Sequence, residues 1–238
     1  MRRRFFVDQI RNGRAEIAGD QARHLTRALR AEAGQRYEIS DNGDVYLAEI
    51  ETSGPRQVVF RTLEKLPPPA EEARLVLAAA LVKFDRFEWM IEKATELGVD
   101  AIVPFAAARS ERGLDAAARK RAERWRRIAL EASQQSRRAR VPAIEAPARF
   151  EDVLAAPADR RFVLDEDPEA PPLIRALPES RRNSDTIAVL LGPEGGWSDP
   201  ERECFASWTR VSLGPRILRA ETAAVAALAI LRAAWDLR

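Results

Sequence analysis

Apolar residues in the first 66 positions recur mostly at alternate sites, the period of a half-buried strand. The pattern predicts strands over 4–7, 37–40, 45–50 and 57–66. Asp41-Asn42-Gly43-Asp44 separates two of these runs. Its Asn-Gly pair predicts a hairpin turn, because glycine takes positive φ at little cost. Ala22, Leu25, Ala28 and Leu29 instead repeat at helical spacing, which predicts a helix over 20–33 that Gly34 ends. The expected product is a small barrel-like β unit with one helix. Pro67-Pro68-Pro69 follows as a stiff extended linker, since proline suits neither a helix interior nor a central strand. The expected division is therefore a barrel domain over 1–68 and a second domain over 72–238.

In the second domain, short apolar runs alternate with helical patterns. Strands are predicted over 75–81, 101–105, 161–164, 186–191 and 210–213. Helices are predicted over 85–97, 114–138 and 220–237. The first shows Phe87, Met90, Ile91, Ala94 and Leu97 on one face, with Gly98 as its stop. The second is strongly charged, with a narrow stripe of Trp125, Ile128, Ala129 and Ala132. Alternation of this kind predicts an α/β fold whose parallel sheet is covered on both faces.

Two predicted strands run directly into glycine loops, Leu191-Gly192-Pro193-Glu194-Gly195-Gly196-Trp197-Ser198 and Leu213-Gly214-Pro215-Arg216-Ile217-Leu218-Arg219. Ligands of open α/β sheets bind beyond the carboxyl ends of strands, where both loops fall. Glycine lets the backbone approach a ligand closely, and Ser198-Asp199-Pro200-Glu201 carries the spacing of a helix capping box. Neither loop has the spacing of a P-loop or a dinucleotide fingerprint. Leu164, Leu191, Leu213, Ile217 and Leu218 supply an apolar lining that suits either sheet core or an adenine pocket.

Charge changes this picture. The net charge is only +2, but residues 1–36 hold nine Arg against four acids, and residues 109–140 hold eleven basic residues against four acids. Two basic blocks on an otherwise acidic chain point to a polyanion partner. A single Cys excludes a disulfide framework and a cysteine zinc site, and a single His argues against a histidine metal site; no metal is expected. Cys204 reads as core packing. No apolar run reaches membrane-spanning length, and the basic start lacks a secretory apolar stretch, so a cytoplasmic location without membrane attachment is expected.

Leu-Gly-Pro-Glu-Gly-Gly at 191–196, followed by Leu-Gly-Pro-Arg-Ile-Leu-Arg-Ala-Glu-Thr-Ala at 213–223, resembles the trefoil-knotted SPOUT-type methyltransferases. The nearest likeness is to the bacterial 16S rRNA uridine N3-methyltransferases. It extends to Arg3-Arg4-Phe5-Phe6-Val7, His24-Leu25-Thr26-Arg27-Ala28-Leu29-Arg30, Lys93-Ala94-Thr95-Glu96-Leu97-Gly98-Val99, Arg109-Ser110-Glu111-Arg112 and Glu131-Ala132-Ser133-Gln134-Gln135-Ser136-Arg137. Ala28 and Ser133 depart slightly from the pattern. The resemblance implies a PUA-like N-terminal barrel that helps hold RNA and a knotted C-terminal domain. It also implies S-adenosyl-L-methionine as cofactor, a homodimer, and 16S rRNA in the 30S subunit as substrate.

The resemblance implies cofactor contacts at Leu164, Leu191, Gly192, Pro193, Gly195, Gly196, Leu213, Gly214, Ile217, Leu218, Thr222 and Ala223. Uracil N3 must lose its proton before it attacks a methyl group, so a base or a cation that favours the uracil anion is required. Arg219, Glu194 and Glu221 are the expected catalytic residues. Glu194 serves equally as an orienting group, a base or a brace within its loop, whereas Arg219 is favoured as a cation for the uracil anion or a phosphate over an ion-pair partner of Glu194 or Glu221. Thr222 suits helix capping as well as a cofactor contact. Expected RNA contacts are Arg2, Arg3, Arg4, His24, Arg27, Arg30, Arg109, Arg112, Arg137 and Arg138. Two alternatives remain: a non-catalytic RNA-binding assembly factor, and a knotted 2′-O-RNA methyltransferase.

Overall fold

A computed structural model describes residues 3–167 and 169–236; Arg2 and the expected helix end at Leu237 lie outside them. The chain divides into two units, residues 1–70 with 133–141, and residues 71–132 with 142–238.

The first unit holds β1 (Arg4–Phe6), β2 (Arg14–Ala18), α1 (Gly19–Arg27), β3 (Arg36–Ser40), β4 (Val45–Ser53) and β5 (Gln57–Lys65). They form one sheet in the order β1-β3-β4-β5-β2, antiparallel except for the β1–β3 pair. Two register shifts between β4 and β5 help the sheet curl, because a bulge bends its strand and increases local twist. Phe5, Ile17, Leu25, Ile39, Ile50 and Phe60 fill the enclosed core. The sequence expectation omits β2, although Ala15 and Ile17 point inward between exposed Arg14, Glu16 and Ala18. Helix α1 is also shorter than expected. Arg30 takes φ of 50° and the Ala31 N–H turns back to the Leu25 carbonyl at 3.1 Å, which ends the helix and buries Ala31.

The second unit begins with β6 (Arg74–Ala80), α2 (Phe84–Glu96), β7 (Ala101–Phe105) and α3 (Leu114–Gln135). It continues with β8 (Ala143–Ile144), α4 (Phe150–Ala155), β9 (Arg160–Leu164), α5 (Leu173–Ala176) and β10 (Thr186–Leu191). It ends with α6 (Asp199–Glu203), a 3₁₀ turn at Cys204–Ser207, β11 (Thr209–Val211) and α7 (Ala220–Asp236). The six-stranded sheet runs β11-β9-β10-β6-β7-β8, and all its pairs are parallel. One face, which includes Val163, Leu190 and Phe105, packs against Val153, Trp197, Phe205 and Trp208. On α7, Ala224, Leu228, Leu231 and Trp235 are buried, and α7 packs against α2 and β10. The short elements β8, α4 and α5 carry too few residues to show a period and were not expected.

Helix α3 stops before the expected 138. Arg137 adopts φ of 57° and the Arg138 N–H reaches back to the Ser133 carbonyl at 2.9 Å, a left-handed C-terminal cap. The segment beyond it lies along the β1–β3 edge of the first unit. Ser40 Oγ donates to the Ala139 carbonyl at 2.7 Å, and Asn42 Oδ1 accepts from the Val141 N–H at 2.7 Å. Buried Glu38 joins this edge, accepting from Arg4 at 2.8 Å and from Arg137 at 2.5 Å.

Candidate functional site

Strands β11, β9 and β10 are adjacent and parallel, so their carboxyl ends open on one side of the sheet. A cavity of about 410 Å³ lies there, walled by the chain following each strand. Such a volume falls in the range of small-molecule sites. Leu164, Leu191, Gly192, Pro193, Gly196, Leu213, Gly214, Ile217, Leu218 and Ala223 line it, as does Glu194. Gly195, Thr222, Arg219 and Glu221 do not.

The loop after β10 is held from several sides. The Gly196 N–H donates to the Pro193 carbonyl at 2.9 Å, which closes the turn. Trp197 is buried, and its Nε1–H donates to the Leu164 carbonyl at 2.8 Å, tying this loop to the end of β9. Its indole lies parallel to Phe105 at 6.3 Å and edge-on to Phe205 at 5.0 Å, geometries that aromatic pairs favour. Arg109 donates to the Gly195 carbonyl at 3.0 Å, and Arg86, from the first turn of α2, forms an ion pair with Glu194. The loop then enters α6 through the expected capping box. Glu201, 7% exposed, accepts from the Ser198 N–H at 2.9 Å and, with its other oxygen, from the Ala108 N–H at 2.8 Å. Ser198→Ala is expected to lower stability by about 1 kcal/mol, read as a denaturation midpoint shift, because a helix cap contributes on that order. An unchanged midpoint would show that Glu201 holds the loop without it.

The wall formed by β9 contains a charge network that sequence reasoning missed. The Asp165 side chain is fully buried. Arg202 donates to both its oxygens, at 2.5 and 2.6 Å, and Arg210 reaches it at 2.9 Å. Arg210 also holds Asp167 at 2.6 Å. The Glu169 N–H and the Arg210 guanidinium keep the Asp167 carboxyl below the ordinary aspartate range, while Asp167 and Asp165 raise Arg210. Glu166, between the two aspartates, keeps a half-exposed side chain toward the cavity, with Arg202 4.0 Å away.

Arg219 is exposed, and no carboxylate among the described residues stands within 4.0 Å of it, so neither expected ion pair forms. Glu194 has Arg86 instead. Glu221 keeps one buried oxygen without a hydrogen-bond partner among the described residues, and Thr222 is exposed on α7. Cys204 is exposed rather than in the core, with its thiol 3.3 Å from the Pro200 carbonyl, because the chain turns into a 3₁₀ segment there.

Among the expected RNA contacts in the first unit, Arg3, His24, Arg27 and Arg30 are exposed. Arg4 and Arg137 are committed to Glu38, which explains their presence structurally. Arg138 bonds the Arg140 carbonyl at 3.2 Å. In the second unit Arg109 and Arg112 are exposed.

Residues 69–232 match an RNA methyltransferase domain family, and residues 17–63 match an RNA methyltransferase PUA domain family. The ribosomal RNA small subunit methyltransferase E of Rickettsia conorii is 32% identical over 93% of this chain and 90% of its own. The chain belongs to the small-subunit ribosomal RNA methyltransferase E family. Another relative, the same-named protein of Bacillus subtilis, is 33% identical over 90% of this chain and 88% of its own. The crystal structure of the Neisseria gonorrhoeae family member, bound to S-adenosyl methionine, covers both chains fully with a TM-score of 0.87 at 27% identity. Family membership agrees with the resemblance carried by the two glycine loops. It also accounts for an α/β unit with an all-parallel sheet joined to a PUA-type unit.

Proposed function

We propose that this chain transfers a methyl group from S-adenosyl-L-methionine to N3 of one uridine of 16S rRNA, on the assembled 30S subunit in the cytoplasm. The observation that carries this reading is the cavity at the carboxyl ends of β9, β10 and β11, in a member of this methyltransferase family. The residues present fit the cofactor. Leu164, Leu191, Ile217, Leu218 and Ala223 offer apolar surface to a purine, and half-exposed Glu166 offers negative charge to a cationic group. The main chain of Gly192, Pro193, Gly196, Leu213 and Gly214 supplies close polar contact. When bound, the cofactor supplies an electrophilic methyl group on a sulfonium. Gly195 acts from outside the lining through its bond from Arg109, and Thr222 is exposed on α7 next to Ala223.

The chain's own task is to present uracil N3 as an anion. Arg219 is an exposed cation at the end of the loop after β11, with no carboxylate partner among the described residues, and stabilises that anion. Glu194 is held by Arg86 and acts as an orienting group; Glu221 supports the start of α7. Arg86→Ala should raise the cofactor KM about two- to fivefold with kcat little changed, since a half-exposed ion pair contributes below about 1 kcal/mol. Steady-state kinetics checks this, and a kcat loss with unchanged KM would instead assign Glu194 to the chemical step. The PUA-like segment 1–68 presents Arg3, His24, Arg27 and Arg30 to RNA, and the 72–238 segment presents Arg109 and Arg112. Two chains pair as a homodimer; Ile217, 88% exposed, is apolar surface that such pairing or bound substrate would cover. Nucleoside mass spectrometry of 16S rRNA from a deletion strain tests the activity. Loss of N3-methyluridine is expected, and its unchanged presence would overturn the proposal.

A further inference from the structure

The opposite end of β9 carries a second cavity of about 320 Å³. It arises from a mismatch in strand length. β9 starts at Arg160, but its edge partner β11 starts at Thr209, level with Phe162. The β9 edge at Arg160 and Arg161 is therefore left open as a notch, closed by Ser207 and Thr209 on one side and by Pro178 on the other. Arg160 and Arg161 both line the notch.

Both arginines are incompletely satisfied. Arg160 donates from Nη2 to the Ser180 carbonyl at 3.3 Å, and Arg161 from Nη1 to Ser207 Oγ at 3.2 Å. No carboxylate among the described residues stands within 4.0 Å of either guanidinium, although Arg160 acts through space on the buried Asp185 carboxyl. Asp159 also lines the notch; one of its oxygens accepts from the Thr186 N–H at 2.8 Å, and its negative charge offsets part of the two arginines' attraction for an anion. Two cations and two hydroxyls in one lining offer more donors than a planar carboxylate needs, which a single guanidinium fork would satisfy, and suit a tetrahedral oxyanion.

We propose that this notch is a phosphate-binding site, distinct from the cofactor cavity. The two cavities share the β9–β11 edge and lie roughly 13 Å apart along β9. That spacing suits a backbone phosphate of RNA whose target nucleotide is at the other end, an assignment that rests on the proposed function. The same chemistry would also take free phosphate.

The test uses the full chain and inorganic phosphate. Thermal unfolding in phosphate, compared with chloride at equal ionic strength, should show a rise for the unaltered protein by ligand linkage. The double variant R160Q/R161Q should lose at least half of that rise. If the double variant does not fold, R161K alone, which keeps the charge but lacks the planar guanidinium fork, should lose part of it. An equal rise in all variants overturns the site, whatever the outcome for methyl transfer. Binding of a 16S rRNA fragment at several salt concentrations separates the sources. A log–log salt slope shallower by about 0.7–0.9 in the variant identifies an RNA phosphate, by the counterions released per phosphate. A lost phosphate response with an unchanged slope identifies a small phosphate instead.

Discussion

Arg219→Ala is expected to lower kcat by about 10²–10³-fold, as loss of one charge-stabilising donor does at a developing anion. The cofactor KM should change by less than about threefold, because Arg219 is outside the cavity lining. Its position favours a role toward the second substrate. The backbone is fixed, since the Ala223 N–H donates to the Arg219 carbonyl at 2.9 Å at the start of α7. The side chain is exposed beside Ile217 and Leu218, with no carboxylate partner among the described residues. In the proposed reaction, an unpaired cation there would lower the free energy of a uracil anion without first breaking an ion pair. Arg219→Lys should restore part of the rate, because it keeps the charge but loses the planar fork. Single-turnover measurements with saturating cofactor give the value. Equal losses in kcat and cofactor affinity would make Arg219 a cofactor-site or structural residue.

The parts of this site legible in the sequence are those written in local chemistry. Gly192, Pro193 and Gly196 mark a tight loop wherever they follow a strand, and Ser198 with Glu201 marks a cap, since each pairing spans only a few residues. The Asp165 network was not legible. Its partners Arg202 and Arg210 stand 37 and 45 positions away, and no spacing rule pairs a carboxylate with arginines at that distance. Arg86 and Glu194 meet for the same long-range reason. The strands of the parallel sheet showed as apolar runs because both their faces are covered. The membership of 133–141 in the first unit left no trace, because the helical pattern of α3 continues past Ser133 and only the backbone turn at Arg137 ends it. Arg4 and Arg137 illustrate the limit of counting charge. Both belong to the basic blocks, yet both are bound to Glu38.

Gly192→Ala is expected to weaken cofactor binding by about 5–150-fold, the affinity equivalent of about 1–3 kcal/mol of overpacking. A Cβ at this position would stand 2.9 Å from Trp197 Cε2 and 3.1 Å from Cζ2. The indole cannot retreat cheaply. Its Nε1–H is bonded to the Leu164 carbonyl, and Phe105, Phe150 and Phe205 surround its ring. The loop must therefore move, and with it Pro193 and Glu194 in the cavity wall. Gly196→Ala provides the contrast. Gly196 has φ of 68°, and its added Cβ would meet the Glu166 carboxylate, whose side chain is 50% exposed and free to swing aside. What remains is left-handed backbone strain of about 1–2 kcal/mol, together with the contact that a displaced Glu166 loses with the cofactor's cationic group. Calorimetric titration with S-adenosylmethionine should rank Gly192→Ala below Gly196→Ala in affinity, with both variants folded. The reverse order would mean that the cavity wall is set by the backbone turn at Gly196 rather than by the packing of Gly192 on Trp197.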